Sequence, residues 1–278
     1  MLVLDIDGVL LDTAPSFTVA VLETGRRCAV APGLRGLWAG ADVERLRLAG
    51  GFNNDWDSAA ALALLGPSSG PGLSWTRTCG EIERRGGGPR AVQGMTGDGA
   101  WESVRAAVLP VFQRLYAGPR SMEIYGLLPE EVEGLYELER PLISPEEISL
   151  TGLPVGLFTG RTREEAVLAM ERLGLEVEGG RLVCDTEPRF RKPLPDGLLV
   201  LASKARSERP LFVGDTVDDM GSAISARASG LDVAFAGIAE PESERESRFR
   251  EGGAVAVGPS LRHILRDCLG GRGGSDDP

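Results

Sequence analysis

Asp5 and Asp7 stand two residues apart in LVLDIDGVLLDT (2–13), directly after an apolar run and just before Gly8. Residues two apart in a strand point the same way, so both carboxylates start on one face. The run LVL suits a strand buried on both sides of a parallel sheet. In open α/β sheets, ligands bind at the carboxyl edge of the strands. Three later apolar runs end in polar groups at that edge: Thr159-Gly160-Arg161, Asp185, and Gly214-Asp215 followed by Asp218 and Asp219. Several carboxylates sharing one crevice repel each other. A hard divalent cation with oxygen ligands relieves this, and Mg²⁺ suits it best. Alone, DxDG is as readily a turn or a helix cap, and GDxxxD an ordinary N-cap. Their joint appearance, in order and each after a buried-strand pattern, points to a site.

The elements that would position these groups follow from periodicity. Strand-like runs recur at PVGLFTG (154–160), RLVCD (181–185), PLFVGD (210–215), LDVAFAG (231–237) and AVAVG (254–258). Helical stretches lie between them, with Val167, Met170 and Leu173 sharing one face and Val217, Met220 and Ile224 another. This alternation implies an α/β fold, a Rossmann-like doubly wound parallel sheet with helices on both sides. The interval 13–150 differs, being helical with almost no strand pattern. Trp101, Val104, Val108, Val111 or Phe112, and Leu115 form one apolar stripe. Two tracts inside it, GPSSGPGLS (66–74) and RRGGGPRAVQGMTGDG (84–99), read as exposed loops. The expected organisation is a core of 1–12 and 151–270, an inserted helical cap of 13–150, and a disordered tail of 271–278.

A net charge of −11 over 278 residues argues against general nucleic-acid or anionic-membrane binding. The four cysteines are far apart and form no CxxC pair, as expected of free thiols in a reducing compartment. Met1 is followed by three apolar residues and an aspartate, with no basic segment, so no signal peptide is expected. No apolar run is long enough to span a bilayer. A soluble, cytoplasmic protein is the expectation, and its oligomeric state is not legible.

DIDGVLLDT, LFTGRT, RKPLPD and FVGDTVDDM, in that order, resemble the four motifs of the haloacid dehalogenase superfamily. The helical insertion after the first motif resembles that superfamily's helical-cap members, of the phosphoglycolate-phosphatase and β-phosphoglucomutase types. The resemblance implies Asp5 as nucleophile and Asp7 as general acid/base, with crowding by neighbouring carboxylates helping to keep Asp7 protonated. It implies that Thr159 and Gly160 bind phosphoryl oxygens, and that Lys192 neutralises charge on Asp5 and the phosphoryl group. Mg²⁺ would be held by Asp5, Asp215 and the backbone carbonyl of Asp7, with Asp219 acting mainly through water. Asp218 is the lesser metal candidate, Arg161 reads as a local cap or salt bridge, and Asp12 as an N-cap. The only histidine, His263, lies on a C-terminal helix away from every motif and reads as structural.

The aspartate two places after the nucleophile implies a phosphatase acting on a small phosphorylated metabolite. A phosphomutase needs the same residues, and a non-catalytic phosphometabolite sensor is a third reading. Substrate identity does not follow from the core motifs. Within the insertion, GGFNNDWD (50–57) offers Asn53, Asn54 and Trp56 as substrate contacts, or equally a helix cap with packed aromatics. The stretch also resembles a small hydrolase subgroup associated with histidine-biosynthesis enzymes, which implies histidinol phosphate as one candidate substrate among many.

Overall fold

A computed structural model describes residues 1–30, 38–52, 54–66 and 74–269. Asn53, most of the 66–74 tract and the 271–278 tail lie outside the described residues.

Eight short strands are present among them: β1 (Leu2–Leu4), β2 (Leu11–Asp12), β3 (Arg140–Pro141), β4 (Val155–Phe158), β5 (Leu182–Val183), β6 (Leu211–Gly214), β7 (Ala234–Ile238) and β8 (Ala256–Gly258). Six form one sheet in the order β5-β4-β1-β6-β7-β8, with every pairing parallel. β2 and β3 pair antiparallel, joining Leu11 to Pro141 and Asp12 to Arg140. From β1 the chain moves outward through β4 and β5, then crosses back to β6 and outward to β8. β1 therefore stands at the reversal of strand order, where open sheets bind ligands.

The chain divides into two compact units, one made of 1–12 with the chain from Arg140 onward, the other of Thr13–Glu139. The helical unit contains α1 (Val19–Cys28), α2 (Gly40–Leu48), α3 (Asp55–Leu65), α4 (Trp75–Arg84), α5 (Gly88–Thr96), α6 (Asp98–Ala117) and α7 (Ser121–Tyr125). The sheet unit adds α8 (Pro145–Ser149), α9 (Arg163–Leu173), α10 (Asp196–Ala205), α11 (Val217–Ala228), α12 (Glu244–Glu251) and α13 (Leu261–Leu269).

Alternation along the strands builds two cores. Leu2, Leu4, Leu157, Val213 and Ala236 face α9 and α13, while Val3, Phe158, Phe212 and Phe235 face α10, α11 and α12. On the second face Phe158, Phe212, Phe235 and Phe249 form a run of ring contacts between 5.4 and 5.9 Å. In the helical unit, Phe17 stacks on Tyr116 at 4.6 Å, and the α6 stripe is buried with Phe112, not Val111, inward. The buried carboxylate of Glu139 accepts hydrogen bonds from Ser16 Oγ (3.0 Å) and Tyr116 Oη (3.1 Å), tying together the two ends of this unit.

Four expectations are corrected here. On α9 Met170 and Leu173 face the core as expected, together with Ala166 and Ala169, but Val167 is exposed. On α11 the inward residues include Met220 with Asp219, Ser222, Ala223 and Ala226, but Ile224 is exposed. Small residues let a helix lie close on the sheet, so the tight interface selects them over bulk. The 84–99 tract is not loop: α5 occupies Gly88–Thr96, with Pro89 in its first turn and Ala91 and Val92 buried. Its entry is a turn in which Gly86, Gly87 and Gly88 all take positive φ, and Gly88 N–H donates to Gly50 carbonyl at 2.9 Å. Gly50-Gly51 thus meets a second glycine run backbone to backbone. Asp12 is not a helix cap; it lies in β2.

All four cysteines are free, with Cys79 and Cys184 buried. Burial pushes both of these thiols up to about 12. The fold holds them neutral, so any stability they lend is present below the ordinary thiol value and is lost as pH rises through about 12. Because the thiolate is the reacting species, an aromatic disulfide reagent at pH 8 should label Cys28 and Cys268 first. Cys79 and Cys184 should react only after urea unfolding; four equally fast thiols in the native protein would contradict this core.

Candidate active site

The site is assembled at the carboxyl ends of β1, β4 and β6. Asp5 follows β1 directly, and its backbone N–H donates to Val213 carbonyl at 3.0 Å, which continues the ladder with β6. Its Oδ1 accepts from Ile6 N–H at 2.8 Å. Its Oδ2 lies 2.9 Å from Lys192 Nζ. The same ammonium is 2.6 Å from Asp219 Oδ1. Lys192, Asp5 and Asp219 are all buried.

Asp219 is fixed from four directions. Besides Lys192 at Oδ1, its Oδ2 accepts from Asp215 N–H (3.1 Å), Thr216 N–H (2.9 Å) and Thr216 Oγ1 (2.7 Å). Thr216 in turn accepts from Asp219 N–H at 3.2 Å, so the two residues form the capping box of α11. The GDTVDD segment is therefore a helix cap and a carboxylate-presenting loop at once. Asp218, the neighbour, is also buried, but its side chain is not among the converging carboxylates.

Asp5, Asp215 and Asp219 each place a carboxylate oxygen within 4.8 Å of the others. Gly8 permits this approach. It takes φ +67, and a Cβ built there would overlap the Asp215 carboxylate. Burial pushes the Asp5 carboxyl well above its ordinary range; Lys192 opposes this, and Asp219, Asp7 and Asp215 add to it. Burial would lower the Lys192 ammonium, but Asp219 and Asp5 outweigh it and hold the proton on. Three hard oxygen donors with one ammonium against them are a donor set that fits Mg²⁺.

Asp7 turns away from this cluster. Its Oδ1 accepts from both Nε (2.9 Å) and Nη2 (2.6 Å) of Arg161. Arg161 does more than the local cap or salt bridge read from the sequence: besides its bond to the Glu165 carbonyl (3.4 Å), it reaches a residue 154 positions away. Thr159, at the end of β4, is buried and its Oγ1 accepts from Arg161 N–H at 3.2 Å. Gly160 lies between them in the same loop, partly buried. Arg245 of α12 lies 3.4 Å from Asp215 Oδ2. Nothing in the sequence pattern marked Arg245, whereas Arg161 stood beside Thr159-Gly160 at the expected edge. Asp185 lies two residues past β5 and pairs with Arg191 at 2.9 Å. His263 lies on α13, within 3.4 Å of Ser260.

Asn54 and Trp56 belong to the helical unit. Asn54 is at the N-cap position of α3, but its side chain makes no cap bond. Its buried Oδ1 and the indole Nε1 of Trp56 find no protein partner among the described residues. Trp56 packs edge-on against Phe112 at 6.2 Å. Flanking acids anchor the helix instead: Asp55 pairs with Arg47 (2.7 Å) and Asp57 with Arg105 (2.6 Å).

A family model for haloacid dehalogenase-like hydrolases matches residues 1–227. Among solved structures, phosphatase Tt82 from Thermococcus thioreducens is similar at 25% identity and TM-score 0.59, over 90% of this chain and 97% of that one. A hydrolase from Pseudomonas syringae shares the fold at 16% identity and TM-score 0.56, over 96% and 98% of the two chains. Imidazoleglycerol-phosphate dehydratase of Phytophthora nicotianae is 27% identical over 95% of this chain and 48% of its own length. Phosphoglycolate phosphatase of Agrobacterium fabrum is 28% identical over 42% of this chain and 51% of its own. The chain spans about half the length of the curated relatives it matches.

Asp219→Ala should destabilise the sheet unit by about 3–5 kcal/mol, because it strips a partner from a buried ammonium and removes a helix cap. Urea unfolding measures this. A loss below about 1 kcal/mol would mean that Lys192 does not depend on Asp219 for its buried position.

Proposed function

This chain belongs to the haloacid dehalogenase-like hydrolase family, and we propose that it is a Mg²⁺-dependent phosphatase acting on a small phosphorylated metabolite through an aspartyl-phosphate at Asp5. The observation that carries the reading is Lys192, buried and bonded to both Asp5 and Asp219. A buried ammonium against a nucleophilic carboxylate leaves that edge prepared for an incoming phosphoryl group.

The first step forms a bond from an Asp5 carboxylate oxygen to phosphorus and breaks the bond from phosphorus to the leaving oxygen. A proton from Asp7 passes to that oxygen, and the alcohol departs. In the second step Asp7 takes a proton from water as its oxygen attacks phosphorus. The bond to Asp5 breaks, inorganic phosphate leaves, and both carboxyl groups return to their starting states. Thr159 hydroxyl and Gly160 N–H hold the phosphoryl oxygens, and Lys192 balances the charge of Asp5 and the phosphoryl group. Asp5, Asp215 and the Asp7 carbonyl would hold Mg²⁺ directly, with Asp219 contributing mainly through water. Mg²⁺, when bound, supplies charge screening between the nucleophile and the phosphoryl group.

We assign substrate selection to the helical unit, with Asn53, Asn54 and Trp56 as contacts. The unpartnered polar atoms of Asn54 and Trp56 support this. The relatives' names supply the panel to screen: phosphoglycolate and imidazole-bearing phosphates, histidinol phosphate among them, beside sugar phosphates and nucleotides.

Asp5→Asn should abolish phosphate release from p-nitrophenyl phosphate while leaving the circular dichroism spectrum unchanged. Near-wild-type turnover would refute covalent catalysis at Asp5. Chelation with EDTA should remove activity and Mg²⁺ should restore it; full activity in the chelated protein would overturn the metal assignment. Tight binding of a phosphorylated compound without turnover would favour a sensor, and return of an isomer would favour a mutase.

A further inference from the structure

Arg161 has the burial of a core residue and the contacts of a functional one. Its side chain is 1% exposed, yet it carries a full charge, and it pairs with Asp7, whose side chain is 29% exposed. A charge is buried at this cost only with a partner held in good geometry. Two guanidinium nitrogens end on the same oxygen, Asp7 Oδ1, at 2.9 and 2.6 Å. Among the described residues nothing donates to Oδ2. An aspartate in a loop can turn freely about its last bond, which exchanges its two oxygens. The grip of Arg161 removes that freedom and distinguishes the oxygens.

The guanidinium is itself held in place. Its own backbone N–H donates to Thr159 Oγ1 at 3.2 Å, and Nη1 donates to the Glu165 carbonyl at 3.4 Å. The next residues start α9 with a capping box between Thr162 and Glu165. Every one of these groups lies in the sheet unit.

We propose that Arg161 is the positioning residue for Asp7: it holds Oδ1 and leaves Oδ2 as the atom that exchanges the proton with the leaving oxygen and then with water. This rests on the acid/base reading of Asp7 given above. It also has a consequence for reaction class. Because Asp7, Thr159, Arg161 and Glu165 all lie in the sheet unit, these contacts place the Asp7 carboxyl before any substrate engages the helical unit. Water can then resolve the aspartyl-phosphate without a second substrate, which favours hydrolysis over transfer back to a sugar. A lysine cannot substitute, since its single ammonium lacks the planar fork that puts two donors on one oxygen.

The test compares phenyl phosphate with p-nitrophenyl phosphate, two probes of one shape whose leaving groups differ in their need for a proton. For Arg161→Lys, and for Arg161→Gln as a second variant, kcat/KM on phenyl phosphate should fall about 10²-fold, within the range of general acid catalysis. On p-nitrophenyl phosphate the fall should be about tenfold smaller. Asp7→Asn should show the same selectivity, and adding Arg161→Lys to it should change kcat/KM by less than about twofold. If Asp7→Asn is selective but both Arg161 variants slow the two probes equally, or not at all, Arg161 is structural and the proposal falls alone. If Asp7→Asn shows no selectivity, the acid/base reading of Asp7 falls and takes the proposal with it.

Discussion

One ammonium organises the sheet edge. Lys192 sits between Asp5 and Asp219, and all three are buried. An unpaired charge at that depth costs several kcal/mol. The three groups can only be buried together. That requirement brings the end of β1, the loop after β6 and the loop carrying Lys192 to one point. Those elements are far apart in the chain, and the parallel pairing of β1 with β6 carries them only to the same edge. The ion pairs determine which side chains face each other there.

The remaining acids follow the same rule with separate cations. Asp7 is held by Arg161, and Asp215 lies against Arg245. A chain of net charge −11 thus gathers three converging carboxylates and the nearby Asp7 at one sheet edge by giving each a basic neighbour. The partition has chemical content. The cation at Asp5 is a buried ammonium, a compact point charge, whereas the cation at Asp7 is a rigid planar fork that constrains direction.

The helical unit is built on other principles. Its centre is aromatic, with Phe17, Tyr116 and Phe112 in contact, and its two chain ends meet at the buried Glu139 carboxylate. Its ion pairs, Asp55 with Arg47 and Asp57 with Arg105, anchor α3 and explain much of the GGFNNDWD stretch without a ligand. Asn54 Oδ1 and Trp56 Nε1 are the part those pairs do not explain. Groups of this kind, on a scaffold separate from the core chemistry, are how one fold comes to serve different substrates.

The local sequence was enough to mark the strands before Asp5, Thr159 and Asp215, the helical character of the insertion, and the carboxylates themselves. Those features depend on alternation and helical period within a few residues, and such patterns survive in one dimension. Met170, Leu173 and Met220 were read correctly as core-facing, but Val167 and Ile224 were misread because a hydrophobic period ranks side chains by size, while close helix–sheet packing also selects alanine and serine. The turn before α5 was misread because its glycines look like a loop until their contact with Gly50-Gly51 is known. Arg161 carried the right neighbours in sequence but no sign of its partner. An ion pair across 154 residues leaves no local period, since it exists only once β1 and β4 lie side by side. Residue types at a strand's end are a one-dimensional property; which charge each of them meets is decided by the strand order.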